Sequence, residues 1–142
     1  MAPRLDDDER TLWRGFLAWT EATRGTISRE LVASSDLTFP EFEVLVRLSD
    51  AGGRLDQREL CEALTWSPSR ISHQLSRMET RGLIERTEVG SGRLMHVALT
   101  AKGTAAISEA LDVHAESVRR YFLDRLSETD RKDLGRIFAA GD

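Results

Sequence analysis

The hydrophobic pattern of this chain changes period at Gly82, and no other feature narrows its possible folds as much. Before that point Ile71, Leu75 and Met78 recur at i, i+4 and i+7, the spacing of one helical stripe. Beyond it Met95, Val97 and Leu99 recur at every second residue, as on one face of a strand. Ser67-Pro68 marks the start of the helix, a hydroxyl N-cap followed by a proline whose missing N–H is not needed in the first turn. Arg81-Gly82 closes it. Residues 83–88 and 93–99 then read as two short strands, and Val89-Gly90-Ser91-Gly92 between them as a hairpin with a mobile tip, because its glycines accept positive φ.

The flanks are helical. After the acidic run Asp6, Asp7, Asp8 and Glu9, the residues Leu12, Phe16, Trp19, Thr23, Ile27 and Leu31 fall at three- or four-residue intervals without a proline. A helix of about 28 residues would span about 42 Å, too long to lie wholly on so small a core. Part of it is expected to pack against another subunit. Thr38-x-x-Glu41 has capping-box spacing ahead of Phe42, Leu45 and Leu48, and Asp50-Ala51-Gly52-Gly53 ends that helix. Asp56 and Glu59 repeat the cap spacing before Leu60, Cys61 and Leu64. Thr100 caps a long helix carrying Ile107, Leu111, His114, Val118 and Phe122, and Ser127-x-x-Asp130 opens a last one with Leu134, Ile137 and Phe138. The order is four helices, a hairpin and two helices, a mainly α fold with a small β-hairpin.

Composition bounds the function. The 142 residues suit a single domain spanning 1–142, and no stretch approaches the roughly 20 apolar residues of a membrane-spanning helix. The start turns acidic before an apolar run develops, so a secretory signal is not expected and the chain is placed in the cytoplasm. One cysteine, Cys61, excludes an internal disulfide framework, and His96 and His114 lack a second ligand at metal spacing. No cofactor or metal is expected. Nor is an enzyme: the chain has no phosphate-binding glycine loop, no His-Glu-x-x-His and no nucleophile elbow. The net charge of −4 hides a division, for residues 64–103 carry six basic and three acidic groups while the segments on both sides are acidic. That basic window suits a face for a polyanion.

Residues 55–103 hold two short helices joined by Leu64-Thr65-Trp66-Ser67 and followed by the hairpin, the layout of a winged helix-turn-helix. With Ile71 at the centre of the buried stripe, Ser69, His73, Ser76 and Thr80 fall on the opposite side, flanked by Arg70 and Arg77. No acid lies on that outer face before Glu79. A helix about 10–12 Å wide fits a major groove about 12 Å wide, and such a face donates to phosphates and base edges. The plainer reading is an ordinary solvated helix.

These segments resemble the MarR family of bacterial transcriptional regulators. The likeness is carried by Arg58-Glu59-Leu60-Cys61-Glu62-Ala63-Leu64, Ser67-Pro68-Ser69-Arg70-Ile71-Ser72, Arg81-Gly82-Leu83-Ile84-Glu85-Arg86, and Val97-Ala98-Leu99-Thr100-Ala101-Lys102-Gly103. It implies a winged helix-turn-helix lobe over 38–100, with a recognition helix at 68–82 and a wing at 83–99, and long dimerisation helices at 5–34 and 101–140. It implies a homodimer on double-stranded, pseudo-palindromic operator DNA. Arg70, Ser72 and His73 would read or position the operator, Ser69 and Arg77 would anchor phosphates, Ser67 would be a further DNA-binding residue, and Arg93 would be the wing arginine. The function implied is a repressor released by a small aromatic or phenolic ligand, with Trp13, Phe16, Phe42 and Trp66 as the aromatic residues to line its site, unless they are simply core. Two positions depart from the family pattern: Ser91 stands where Asp is frequent, and Thr65 where the turn often has glycine. Cys61 is either a packed small residue or a redox sensor. A winged-helix protein-interaction adaptor and a constitutive DNA-binding dimer without ligand remain the alternatives.

Overall fold

The computed structural model describes residues 3–90 and 94–141. They form α1 (Asp7–Ser34), α2 (Phe39–Asp50), β1 (Arg54–Asp56), α3 (Gln57–Leu64), α4 (Pro68–Thr80), β2 (Ile84–Val89), β3 (Leu94–Leu99), α5 (Ala101–Tyr121) and α6 (Glu128–Ala139), with a short 3-10 turn at Leu123–Arg125 before α6. Leu31–Val113 make one compact unit and the described residues on either side of it make another, the division falling within α1 and α5.

Local chemistry accounts for most boundaries. The Thr38 hydroxyl accepts from the Glu41 N–H at 3.3 Å while the Glu41 carboxylate accepts from the Thr38 N–H at 2.9 Å, so two donors at the start of α2 are satisfied together. Asp56 with Glu59 and Ser127 with Asp130 do the same for α3 and α6. At the end of α4, Gly82 takes φ 74° and lets the Leu83 N–H reach back to the Met78 carbonyl at 3.0 Å, sealing the last turn. Thr65 takes the same left-handed backbone, φ 54°, at the end of α3. For a β-branched residue that conformation costs roughly 1–2 kcal/mol, a strain the expected glycine would not carry.

In the Leu31–Val113 unit the stripes expected from sequence are buried. Phe42, Leu45 and Leu48 of α2, Leu60 of α3, and Ile71, Leu75 and Met78 of α4 meet Leu83, Ile84 and Val97 in one core. The sheet has three strands rather than the two of a bare hairpin. β3 pairs antiparallel with β2, placing Arg86 opposite Val97, and on its other edge with β1, placing Leu55 opposite Val97. The strand β1 is three residues long and carries no alternating pattern, so only its partner makes it a strand. The tip of the hairpin, residues 91–93, lies outside the described residues, and with it the expected mobility of that turn.

The other unit packs differently. Among the described residues every buried core hydrophobic belongs to Leu31–Val113, whereas Leu12, Trp13, Phe16, Ile137 and Phe138 are between 49% and 78% exposed. They border an apolar groove of about 870 Å³ together with Trp19, Ile27, Val118, Phe122 and Leu134. The Trp13 and Phe16 rings stack at 5.7 Å, and Trp19 leans on Phe122 at 5.6 Å. Glu30 of α1 is tied to α5 by the Ser117 hydroxyl at 2.5 Å and by the Tyr121 phenol, and these hydrogen bonds hold its carboxyl below the usual carboxylate range. No helix among the described residues is long and apolar enough to cross a membrane.

Candidate nucleic-acid interface

α3, the turn Thr65–Ser67 and α4 form the helix-turn-helix, and each link is made by a short local bond. The Trp66 N–H donates to the Cys61 carbonyl at 3.2 Å, and the Cys61 thiol donates to the Trp66 carbonyl at 2.8 Å, so Cys61 is half-buried as part of the turn. The Ser67 hydroxyl accepts from the Arg70 N–H at 3.2 Å and caps α4.

The outer face of α4 follows from its inner one. Because Ile71, Leu75 and Met78 are fully buried, Ser69, Arg70, His73, Ser76, Arg77 and Thr80 are turned to solvent. Ser72 is half-buried at the margin. Two of the arginines are held. The Arg70 guanidinium lies 3.9 Å over the Trp66 ring, a cation–π stack that restrains it without using any of its five donors. Arg77 donates to the side-chain oxygen of Gln74, itself 6% exposed, at 3.0 Å. Arg93 lies outside the described residues.

Glu79 is the acid that ends this face, and it is engaged from the sheet. Arg86 of β2 donates from Nη2 and from its backbone N–H to the two Glu79 carboxylate oxygens, each at 3.1 Å. That guanidinium holds the Glu79 carboxyl below its ordinary value, against a smaller opposing effect of burial. The face therefore stays basic and hydroxylic along its length, and β2 is fastened to α4. At the base of α4, Arg81 grips the buried Glu41 carboxylate and donates to the Asp36 carbonyl at 3.0 Å. Sequence reading leaves out Arg86 and Arg81 because each acts on a partner that only the fold brings near, and it leaves out Gln74 although Arg77 lies only three residues along the same helix. Trp66 and Arg70, four residues apart across a helix start, were open to pairing from sequence.

The four aromatic residues considered for a ligand do not form one group within either unit. Trp13 and Phe16 line the groove of α1, α5 and α6, Phe42 is 5% exposed in the core against Phe39, and Trp66 lies beneath Arg70. Among the described residues no cluster of three or more His, Cys, Asp or Glu is placed to hold a metal.

A three-stranded sheet with a hairpin wing, set behind a helix-turn-helix whose second helix presents a basic face, defines a winged helix-turn-helix protein. A family model described as a domain of unknown function (DUF7343) matches residues 37–98. An uncharacterized HTH-type transcriptional regulator of Bacillus cereus is 32% identical over 125 residues, covering 84% of this chain and 83% of that protein. Among solved structures, AbsC, a MarR family transcriptional regulator from Streptomyces coelicolor, superposes with a TM-score of 0.87 at 32% identity over 96% of this chain and 93% of AbsC. Sco3205, a MarR family regulator from the same organism solved in complex with DNA, gives 0.88 at 26% identity over 98% and 89%. The chain belongs to the MarR family of transcriptional regulators. These relatives are transcriptional regulators and not enzymes, as expected from the sequence, and one of them, Sco3205, is seen bound to DNA.

Proposed function

We propose that two copies of this chain bind a pseudo-palindromic operator as a repressor and leave it when a small aromatic or phenolic ligand binds. The observation that carries the reading is the outer face of α4, on which every charged side chain before Glu79 is basic and exposed. Arg70, Ser72 and His73 read or position the operator, Ser69 and Arg77 anchor phosphates, Ser67 joins them at the DNA, and Arg93 adds the wing contact that the family resemblance assigns to it. Support for the second copy comes from the apolar groove, since Leu12, Trp13, Phe16, Ile137 and Phe138 together make an exposed patch that water disfavours. Support for the ligand is the stacked Trp13–Phe16 pair, which offers flat apolar faces to an aromatic ring.

Binding to duplex DNA at two salt concentrations tests the reading. The parent protein is expected to bind saturably and to weaken steeply with salt, as phosphate contacts release counterions. A variant neutralising Arg70, Arg77 and Arg93 that binds as tightly as the parent would sink it. Light scattering gives the dimer, and thermal-shift screening of aromatic acids gives the ligand, because a compound selective for the folded state raises its melting temperature. Salt-insensitive failure to bind any duplex would favour an adaptor, and DNA binding indifferent to every such compound a constitutive dimer.

A further inference from the structure

Ser76 stands on the outer row of α4 with Ser69 and His73 and is exposed. Its Oγ accepts a hydrogen bond from Arg86 Nη2 at 2.9 Å. Arg86 has little freedom to do otherwise, being 17% exposed and pinned at its backbone and its guanidinium by the two Glu79 oxygens. A hydroxyl has one proton and two lone pairs. With a cation against a lone pair, the O–H dipole turns its hydrogen away from Arg86. Among the described residues no acceptor takes that proton. A polarised donor is therefore left available on the exposed middle of α4, while Arg86 also pairs with the Glu79 carboxylate.

We infer that Ser76 is a further specificity-determining residue of α4, donating to an acceptor on duplex DNA, and that Arg86 is its positioning residue. The acceptor is either a base-edge atom in the major groove, such as guanine O6 or N7, or a phosphate oxygen. This inference rests on the reading that α4 enters the groove.

The test compares the parent with S76A, S76T, R86K and S76A/R86K on duplexes that the parent recovers from a randomised pool and on an unrelated duplex. S76A is expected to bind the recovered duplexes about 3- to 10-fold more weakly per half-site, the worth of one hydrogen bond. S76T, which keeps the hydroxyl, restores binding. Relaxed preference at one position of each half-site assigns a base edge, and equal weakening on every duplex assigns a phosphate. R86K keeps a charge for Glu79, but Arg86 serves Ser76 and Glu79 from the single nitrogen Nη2 at the far end of its side chain, and a lysine ammonium, one bond nearer the backbone on a flexible stem, does not hold that position. R86K is thus expected to weaken binding alone and to add nothing to S76A, whereas a purely structural Arg86 would add its effect in full and overturn the positioning role. S76A that matches the parent in affinity and base preference overturns the inference while leaving the α4 reading intact. A parent that recovers no duplex ends both.

Discussion

Gly103 approaches Leu83 so closely that a Cβ built on it would lie 2.0 Å from the Leu83 carbonyl oxygen. That oxygen already accepts from the Thr100 N–H at 3.2 Å, and Thr100 in turn caps the first turn of α5 through the Gly103 N–H at 3.0 Å. The obstacle is backbone, with no flexible side chain to swing aside. Gly103→Ala is expected to destabilise the Leu31–Val113 unit by at least the 1–3 kcal/mol usual for overpacking, about that much or more. Urea denaturation reads it directly, and a midpoint equal to the parent's would disprove the constraint.

Arg81 gives the buried Glu41 carboxylate its main charge partner, across forty positions of sequence. Glu41 is 3% exposed, so Arg81→Met leaves a desolvated carboxylate with only its cap bond from the Thr38 N–H. Because Arg81 itself is partly open to water, we expect roughly 1.5–3 kcal/mol, the range for a hydrogen bond to a charged group. Adding Glu41→Gln should recover part of that loss. Additive losses in the double variant would show that the two residues act independently.

Stability should depend on pH through His114 and Glu30. Burial pulls the half-buried His114 imidazole below its ordinary value of 6.5, so the unfolded chain takes up a proton before the folded one does. Its contribution is therefore fully present above about pH 6.5 and is lost as the solution is acidified through that value. Glu30, held low by Ser117 and Tyr121, adds a second decline below its ordinary 4.5. Chemical denaturation at a series of pH values follows both, and His114→Asn should flatten the first decline only. A His114→Asn profile that still falls between those two values would reject the assignment.

Arg70 should depend on the Trp66 ring for its part in DNA binding. Replacing Trp66 by Leu removes the stack at 3.9 Å and frees the guanidinium. An exposed cation–π contact is worth about 0.5–1 kcal/mol, so a two- to fivefold loss of DNA affinity is the expected scale. Trp66→Phe retains a ring and should lose less. In an Arg70→Ala background the Trp66→Leu change should do nothing further to affinity, and equal losses in both backgrounds would detach the two residues.

What the sequence determined by itself is whatever local bonding decides. The caps at Thr38, Asp56, Ser67 and Ser127, the stop at Gly82 and the stripe of Ile71, Leu75 and Met78 involve partners within a few residues, so the spacing of the letters already contains the geometry. The outer face of α4 was legible for the same reason, as the complement of its buried stripe. Tertiary structure alone decided β1, because three residues with no alternation become a strand only when β3 supplies hydrogen bonds. It alone decided that Arg86 reaches Ser76 and Glu79, that Arg81 reaches Glu41, and that Gly103 has no room for a Cβ. In each of these the energy comes from groups that the folded chain brings together, and no periodicity along the sequence records such a meeting.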